Sequence, residues 1–350
     1  MTNTLLTRHD PEEARQFHTE GTWGEETHYR LLKQNTEASP NAFALRDGGR
    51  RLTWIQLSNW VEAIASDLAA QGLRPNDRVS LWASNRVESV VMYLACSRNG
   101  YACNPSLHRT YTVDEISDLL ERLSTKAILV EEGWGADASN NDPFKTLAKL
   151  PAMRKVYSVP TERVYGSNFP APNGPHNAAP KSNENPNKVC YLAFTSGTTG
   201  TPKGIVQVHR AAVHSYSWRL RHYPFVPGDR VACHVFFVWE LLRPLLNGTG
   251  TPMYVIPDEV IYDPGPLLTF LEEHAITRTL FTPSLCQLLL DSFSAAELNR
   301  RLGSTLTLVW LCGEVVTVEL RNRFCTALPN CRLVSLYSIP ECHDVSAVNL

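Results

Sequence analysis

Strand-like and helix-like patterns alternate along the chain, and this alternation most constrains what it can fold into. From Leu52 to about Gln71, apolar residues recur at helical spacing, and a short apolar strand pattern follows the turn Pro75-Asn76-Asp77. In this part of the chain we expect strands over 77–84 and 127–130 and helices over 87–99 and 112–123, the latter capped by Thr112 or Asp114. Such alternation predicts an α/β fold with mostly parallel sheets flanked by helices in layers.

The alternation is interrupted between residues 160 and 188, where Pro, Asn, Ser and Gly dominate. We expect an exposed connection there, between a first α/β subdomain over 1–159 and a second over 189–350. In the second subdomain the patterns predict strands over 189–194, 204–208, 231–235, 252–256, 278–281, 306–311 and 333–336, with helices over 210–222 and 239–246 and around Leu267, Leu288 and Leu320.

Composition narrows the class of protein. The 350 residues are 43% hydrophobic and 19% charged, with a net charge of −2, which favours a folded protein without a nucleic-acid partner. The nine cysteines form no CxxC pair, so reduced thiols are expected. No signal peptide and no apolar run long enough to span a membrane is evident, and we expect a cytoplasmic protein.

The most informative segment is a loop rich in glycine and hydroxyl groups, YLAFTSGTTGTPKG, over residues 191–204. Gly197 and Gly200 allow the backbone N–H groups to approach an anion, and Lys203 adds a positive charge suited to phosphate. It is not a Walker P-loop, because Pro202 precedes the lysine and a strand follows. The hydroxyl donors of the loop are Thr195, Ser196, Thr198 and Thr199. A flexible polar hairpin is the simpler alternative.

This loop closely resembles the phosphate-binding loop of the acyl-adenylate-forming family, which includes acyl-CoA synthetases, nonribosomal peptide adenylation domains and luciferases. The resemblance covers most of the chain and corresponds to the large N-terminal lobe of the family. Its other segments are LTWIQL over 52–57, LACSRNGYACNP over 94–105, FVWELLRPLLNG over 237–248, CGE over 312–314 and YSIPE over 337–341.

The resemblance implies roles for individual residues. Lys203 and the loop hydroxyls would hold the β- and γ-phosphates of ATP, Tyr337 would stack on adenine, and Gly313 and Glu314 would lie in the turn beside adenine. Glu341 would bind Mg²⁺. The implied reaction joins a carboxylic acid to ATP, giving acyl-AMP and pyrophosphate, with CoA or a phosphopantetheine thiol as the later acceptor.

Three positions depart from the family pattern near the metal-binding glutamate. Pro340 stands where the family usually has a threonine that donates to the α-phosphate, and proline has no such donor. Ser338 replaces a glycine, and Ser335 replaces a frequent asparagine that contacts adenine. These changes favour an alternative, a catalytically silent module that binds nucleotide or acyl groups and regulates a partner.

The acid pocket differs as well. Adenylation domains for α-amino acids place an aspartate four residues before the tryptophan of the FVWELL segment, whereas here Val235 precedes Trp239. An apolar side chain cannot neutralise an ammonium group, so we expect an acid without an α-amino group. His234, Val235, Phe236 and Trp239 are the candidate residues of this pocket.

The chain ends nine residues after Glu341, whereas family members continue into a small C-terminal domain with a catalytic lysine. We therefore expect an incomplete enzyme that needs a separate C-terminal domain or a carrier protein as partner, or a fragment. Outside the motifs, Asp114-Glu115 and Glu131-Glu132 are expected on solvated faces and Cys190 in the core.

Overall fold

The computed structural model describes residues 10–105, 107–166, 168–173, 177–195, 203–233, 242–243 and 250–350; only the backbone of Thr195 is described. The strands are β1 Phe43–Asp47, β2 Arg50–Thr53, β3 Arg78–Trp82, β4 Ala102–Asn104, β5 Ala127–Glu131, β6 Lys155–Val159, β7 Val189–Thr195, β8 Lys203–Val208, β9 Val231–Cys233, β10 Met253–Val255, β11 Arg278–Phe281, β12 Leu308–Cys312, β13 Arg332–Ile339 and β14 His343–Asn349. The described helices are α1 Pro11–Thr19, α2 His28–Ala38, α3 Trp54–Ala70, α4 Val87–Asn99, α5 Val113–Leu123, α6 Pro143–Leu147, α7 His209–His222, α8 Asp258–Ile261, α9 Pro264–Glu273, α10 Pro283–Ser292, α11 Ala295–Leu302 and α12 Val318–Ala327.

The strands form two largely parallel sheets. One has the order β14-β13-β12-β11-β9-β10-β1-β2, and the other has the order β6-β5-β3-β4-β7-β8. Three pairs are antiparallel, namely β1 with β2, β7 with β8 and β13 with β14. The predicted α/β class is confirmed. The division into subdomains stays a prediction, and each sheet contains strands from both sides of residues 160–188.

Local sequence signals explain where the helices of the first half begin and end. Thr53 and Thr112 form capping boxes at the starts of α3 and α5. Helix α4 ends at Gly100, whose φ of 79° is left-handed, and a Cβ at this position would lie 2.4 Å from the side-chain nitrogen of Asn183. The predicted bounds of α4 and the Thr112 cap are confirmed.

Every residue of α4 is buried, because other elements pack around the whole helix. Charged groups at its N-terminus form a buried network. Arg50 donates to Glu88 and to Asp47 (2.5 Å), while Arg86 donates to Glu88 (2.8 Å) and pairs with Glu131 (3.4 Å). The expectation that Glu131 lies on a solvated face is therefore wrong.

Most described residues over 160–188 are exposed, as the composition predicts, but a few of them are anchored to the first half of the chain. Phe169 and Lys188 are buried, and the indole of Trp60 donates to the carbonyl of Pro170 (2.6 Å). The Lys188 ammonium donates to the carbonyl of Ser97 in α4. This connection thus packs against α3 and α4. Among the described helices none is both long and apolar enough to cross a bilayer.

Two fully buried histidines join α2 and α7. The backbone N–H of His28 donates to Nδ1 of His209 (3.4 Å), and the His28 ring lies 2.8 Å from the Tyr93 hydroxyl in α4. Burial and the neighbouring His343 lower the pKa of His28 from 6.5 to about 3, and burial also lowers the pKa of His209 well below its ordinary value. Both rings are therefore neutral in the folded protein at pH 7.

We predict that the protein loses stability as pH falls below about 6.5. The unfolded histidines take up protons there, whereas folded His28 does so only near pH 3. Each such histidine removes up to about 1.4 kcal/mol of unfolding free energy per pH unit. Urea unfolding between pH 7.5 and 4.5 tests this. His28→Phe should make the unfolding free energy less dependent on pH, whereas His222→Phe, at an exposed position of α7, should leave that dependence unchanged. The same pH dependence in the wild type and both variants would contradict the prediction.

Candidate functional site

The candidate metal-binding residue, Glu341, lies in the turn of the β13–β14 hairpin. The turn is closed by a hydrogen bond from the Cys342 amide to the Ile339 carbonyl (3.3 Å), and Ile339 pairs with His343 across the hairpin. Glu341 is exposed, and among the described residues its carboxylate accepts no hydrogen bond and forms no ion pair. Its oxygens are available to a ligand.

Strands of the other sheet hold this turn. The side-chain amide of Gln207 in β8 donates to the carbonyls of Pro340 (2.7 Å) and Glu341 (3.0 Å). The Tyr191 hydroxyl in β7 lies 3.0 Å from Nε2 of buried His343, whose φ of 61° is left-handed. The turn is thus anchored from β7 and β8.

A buried ion cluster fixes the next residue of the hairpin. Asp344 accepts from Arg219 of α7 (2.9 Å) and from Arg243 (2.8 Å), and these three side chains are 4–6% exposed. Burial by itself raises the pKa of the Asp344 carboxyl, but the two guanidinium groups hold that pKa well below its usual range. The carboxylate therefore stays ionised and ties β14 to α7.

Lys203, the candidate phosphate ligand, is the first residue of β8 and pairs with Thr195 of β7. Its side chain is exposed, and in the described part of the chain it forms no ion pair. Lys203 and Gln207 share one face of β8, since side chains alternate along a strand, and their Cα atoms are about 13 Å apart at about 3.3 Å per residue. The other candidates of the loop, Ser196, Gly197, Thr198, Thr199 and Gly200, lie outside the described residues.

The three candidate adenine-binding residues lie at the ends of β12 and β13. Gly313 has a φ of 95°, which disfavours any side chain there. The Glu314 carboxylate accepts from the backbone N–H (3.0 Å) and hydroxyl (2.8 Å) of Ser284 at the start of α10. Tyr337 on β13 is 58% exposed. Because β12 and β13 are neighbours, these residues lie at one edge of the sheet.

The acid-pocket candidates His234, Val235, Phe236 and Trp239 lie outside the described residues. A small cavity of about 40 Å³ is lined by Cys233 and Arg243, described residues on either side of this segment in the sequence. Its other walls include Tyr223, Phe225, Leu280 and Trp310. Arg219 lies over the Trp310 ring at 4.7 Å and also lines the cavity, so the Asp344 cluster borders it.

Residues 32–349 match the family described as AMP-binding enzyme. The chain belongs to this family. Glycine betaine reductase ATRR of Emericella nidulans is 35% identical over 316 residues, which are 90% of this chain and 23% of that protein. Enterobactin synthase component F of Escherichia coli (strain K12) is 28% identical over 295 residues, which are 83% of this chain and 21% of that protein. The chain therefore spans less than a quarter of the length of these curated relatives.

Solved structures show the same fold. The apo structure of MbtA from Mycobacterium smegmatis superposes with a TM-score of 0.78 and 21% identity, covering 96% of this chain and 61% of that chain. The structure of CmiS6 superposes with a TM-score of 0.73 and 22% identity, and the match covers 93% of this chain and 74% of the CmiS6 chain. The predicted membership of the adenylate-forming family is confirmed, while the roles of individual site residues stay predictions.

Sequence reasoning missed the residues that hold the turn containing Glu341, namely Tyr191, Gln207, His343 and Asp344. A local signal existed for Asp344, because an acidic residue in a strand-like segment such as DVSAVN must either face solvent or find a buried partner. The sequence does not indicate that partner, since Arg219 lies in a distant helix. Cys190 is buried, as expected, and burial raises its pKa to about 12.

We predict that Asp344→Asn destabilises the protein by about 3 kcal/mol, because the substitution removes the buried charge that faces Arg219 and Arg243. Asp291→Asn is the matched control, since Asp291 also pairs with an arginine (Arg323, 2.7 Å) but is exposed. Urea unfolding at pH 7 compares the two variants with the wild type. Equal losses of unfolding free energy in the two variants would show that the buried Asp344 pair stabilises the protein no more than an exposed pair does.

Proposed function

We propose that this chain binds ATP with Mg²⁺ and activates a carboxylic acid as acyl-AMP. Membership of the AMP-binding enzyme family supports the reaction type. The observation that carries the proposal is the contact between β8 and the Glu341 turn. Through Gln207 it brings the strand that begins with Lys203 against the turn that contains Glu341. The Lys203 ammonium and the Glu341 carboxylate, which have no partners among the described residues, are thereby held on backbone segments that are joined through Gln207.

In this proposal, different residues of the chain bind different parts of ATP. Lys203 and the loop hydroxyls bind the β- and γ-phosphates, Tyr337 stacks on adenine, and Gly313 and Glu314 line the adenine side. The exposure of Tyr337 is consistent with stacking on a ligand. The Ser284 contacts fix Glu314 and thereby the shape of the turn after β12. These residues act by positioning and electrostatics.

The described residues fit a magnesium ion. Mg²⁺ in nucleotide sites is usually held by one or two carboxylates together with phosphate oxygens, and Glu341 offers one exposed carboxylate without a protein partner in the described part of the chain. Groups of three or more His, Cys, Asp or Glu side chains that could hold a metal alone do not occur within the described ranges. When bound, Mg²⁺ neutralises negative charge on the phosphates. Glu341 is its proposed protein ligand.

The cavity between α7 and the eight-stranded sheet is the proposed acid pocket, because described residues on either side of the segment with His234, Val235, Phe236 and Trp239 line it. Val235 favours an acid without an α-amino group. Glycine betaine has no α-amino group that needs a hydrogen-bond acceptor, since its charged nitrogen carries three methyl groups and no N–H donor. The 35% identical relative is named a glycine betaine reductase. Aromatic side chains such as Phe236 and Trp239 suit a quaternary ammonium group.

The later steps of the proposed reaction involve partners. CoA or a phosphopantetheine thiol is the proposed acceptor of the acyl group, supplied by a carrier protein or handled with a separate C-terminal domain. The relatives' greater length supports such partners, since this chain corresponds to only 23% and 21% of two of them. We propose a cytoplasmic location, where ATP and reduced thiols are abundant.

We predict that Lys203→Ala and Glu341→Gln each weaken Mg-ATP binding by at least about tenfold, because each removes a charge that faces phosphate or metal. Calorimetric titration of the 350-residue chain measures this. Lys149→Ala and Glu259→Gln, at exposed positions elsewhere, are the matched controls. Unchanged affinity in both site variants would remove Lys203 and Glu341 from the nucleotide site.

A silent nucleotide-binding module is the second candidate. Pro340 favours it, since this residue has no donor for the α-phosphate and its carbonyl is already bound to Gln207. Saturable Mg-ATP binding without acid-dependent pyrophosphate exchange would support this module over the enzyme.

We predict that glycine betaine supports ATP–pyrophosphate exchange better than glycine at equal concentration, because Val235 offers no acceptor for the N–H groups of glycine, whereas a trimethylammonium group has none to satisfy. Leu280→Trp, which fills the cavity, should lower acid-dependent exchange about tenfold or more and leave Mg-ATP binding intact. Leu288→Trp, on the exposed side of α10, is the control. Equal pyrophosphate exchange with glycine and glycine betaine would refute the assignment of the acid. Unchanged acid-dependent exchange in Leu280→Trp would show that this cavity is not the acid pocket.

A further inference from the structure

One side chain binds both carbonyl groups of the turn that contains Glu341. The Gln207 amide nitrogen has two protons, and it donates to the carbonyls of Pro340 (2.7 Å) and Glu341 (3.0 Å). Gln207 itself is only 5% exposed. A buried amide with both donors used on adjacent carbonyls fixes a backbone segment in position and in orientation, more tightly than a single hydrogen bond can.

The turn needs such an external donor. Pro340 has no backbone N–H, so the turn lacks one of the groups that could form hydrogen bonds within it. The backbone hydrogen bond that closes it, from the Cys342 amide to the Ile339 carbonyl, is long at 3.3 Å. Gln207 therefore contributes a large share of the polar contacts that define this backbone segment.

The strand that supplies Gln207 also begins with Lys203. Strand β8 pairs with β7 over its whole length, from Thr195 opposite Lys203 to Val189 opposite Val208. A paired strand moves as a unit, so a group fixed to Gln207 is fixed relative to the backbone of Lys203. The turn belongs to the other sheet, through β13 and β14. Gln207 thus links the strand that begins with Lys203 to the turn that contains Glu341, across the two sheets.

We propose that Gln207 is a positioning residue that sets the Glu341 carboxylate at the distance from Lys203 which Mg-ATP requires. This inference rests on the proposed function, since it concerns the same site. Gln207 touches neither nucleotide nor metal and acts through the backbone of Pro340 and Glu341. Its substitution should therefore change Mg²⁺ dependence more than affinity for ATP without metal.

The experiment uses two substitutions of different chemistry. Gln207→Leu removes both donors while keeping similar volume, and Gln207→Glu keeps the shape but replaces the donors with a carboxylate that cannot donate when ionised. Gln287→Leu is the matched control, because Gln287 also donates from its amide, to Asp291 (2.8 Å), but on the exposed side of α10. Thermal unfolding and circular dichroism identify the variants that remain folded.

The first readout needs no nucleotide. Amide hydrogen exchange of the peptide that contains Glu341, Cys342 and His343 should become about five- to tenfold faster in both Gln207 variants, as expected for loss of about 1 kcal/mol of hydrogen bonding. Peptides from α12 and the Gln287→Leu control should exchange as in the wild type. Unchanged exchange in the turn, or faster exchange throughout the protein, would overturn the positioning role.

The second readout is ATP binding as a function of Mg²⁺ concentration. The Mg²⁺ concentration for half-maximal binding should rise about five- to tenfold in the Gln207 variants, while ATP affinity in EDTA stays the same. An unchanged Mg²⁺ dependence in folded variants would refute the inference while leaving the proposed function standing. A wild-type protein that binds no Mg-ATP at all would refute the proposed function, and the exchange data alone would then decide whether Gln207 anchors the turn.

Discussion

The contact of Asp344 with Arg219 and Arg243 is the interaction on which the geometry of the site depends. It places an ionised carboxylate inside the protein, three residues after Glu341, and ties the last hairpin of one sheet to a helix that follows the last strand of the other. Charges in such surroundings tolerate little displacement, because separation leaves each group buried without a partner. The hairpin is consequently held in one position, and its turn meets β7 and β8. Tyr191 and Gln207 add hydrogen bonds to the hairpin, which the ion cluster already holds in position.

The same design recurs at the start of α4, where Arg50 and Arg86 meet Glu88, Asp47 and Glu131. There too, buried charges from separate elements converge where a helix, a hairpin and a strand end meet. Apolar packing fills most of the interior but is insensitive to small sliding movements, whereas paired charges define a single alignment. In this chain the ion clusters lie at the junctions of the elements, where alignment matters most for a site assembled from two sheets.

Local sequence signals were enough for the fold class and for several element ends. The capping threonines of α3 and α5 and the glycine after α4 act within a few residues, so their meaning does not depend on the rest of the fold. The motifs also singled out Lys203, Glu341 and Tyr337, whose roles stay predictions. Gln207, Tyr191 and Asp344 were out of reach because their partners are more than 100 residues away in sequence, and no periodicity indicates which distant groups meet. Glu131 was misplaced because its partner Arg86 lies 45 residues earlier, before the start of α4, and no local pattern indicates that the two meet.

The pairing of β1 with β10 has a consequence for how the protein is made. Leu45 lies opposite Met253, about 200 residues later in the chain, so the β1–β2 hairpin leaves the ribosome long before its neighbour exists. At translation rates of about 5–20 residues per second, that interval is about 10–40 seconds. During this time an edge containing Ala44 and Leu45, both buried in the finished protein, has no sheet to join. The β1–β2 hairpin therefore keeps one unpaired edge until Met253 to Val255 have been synthesised.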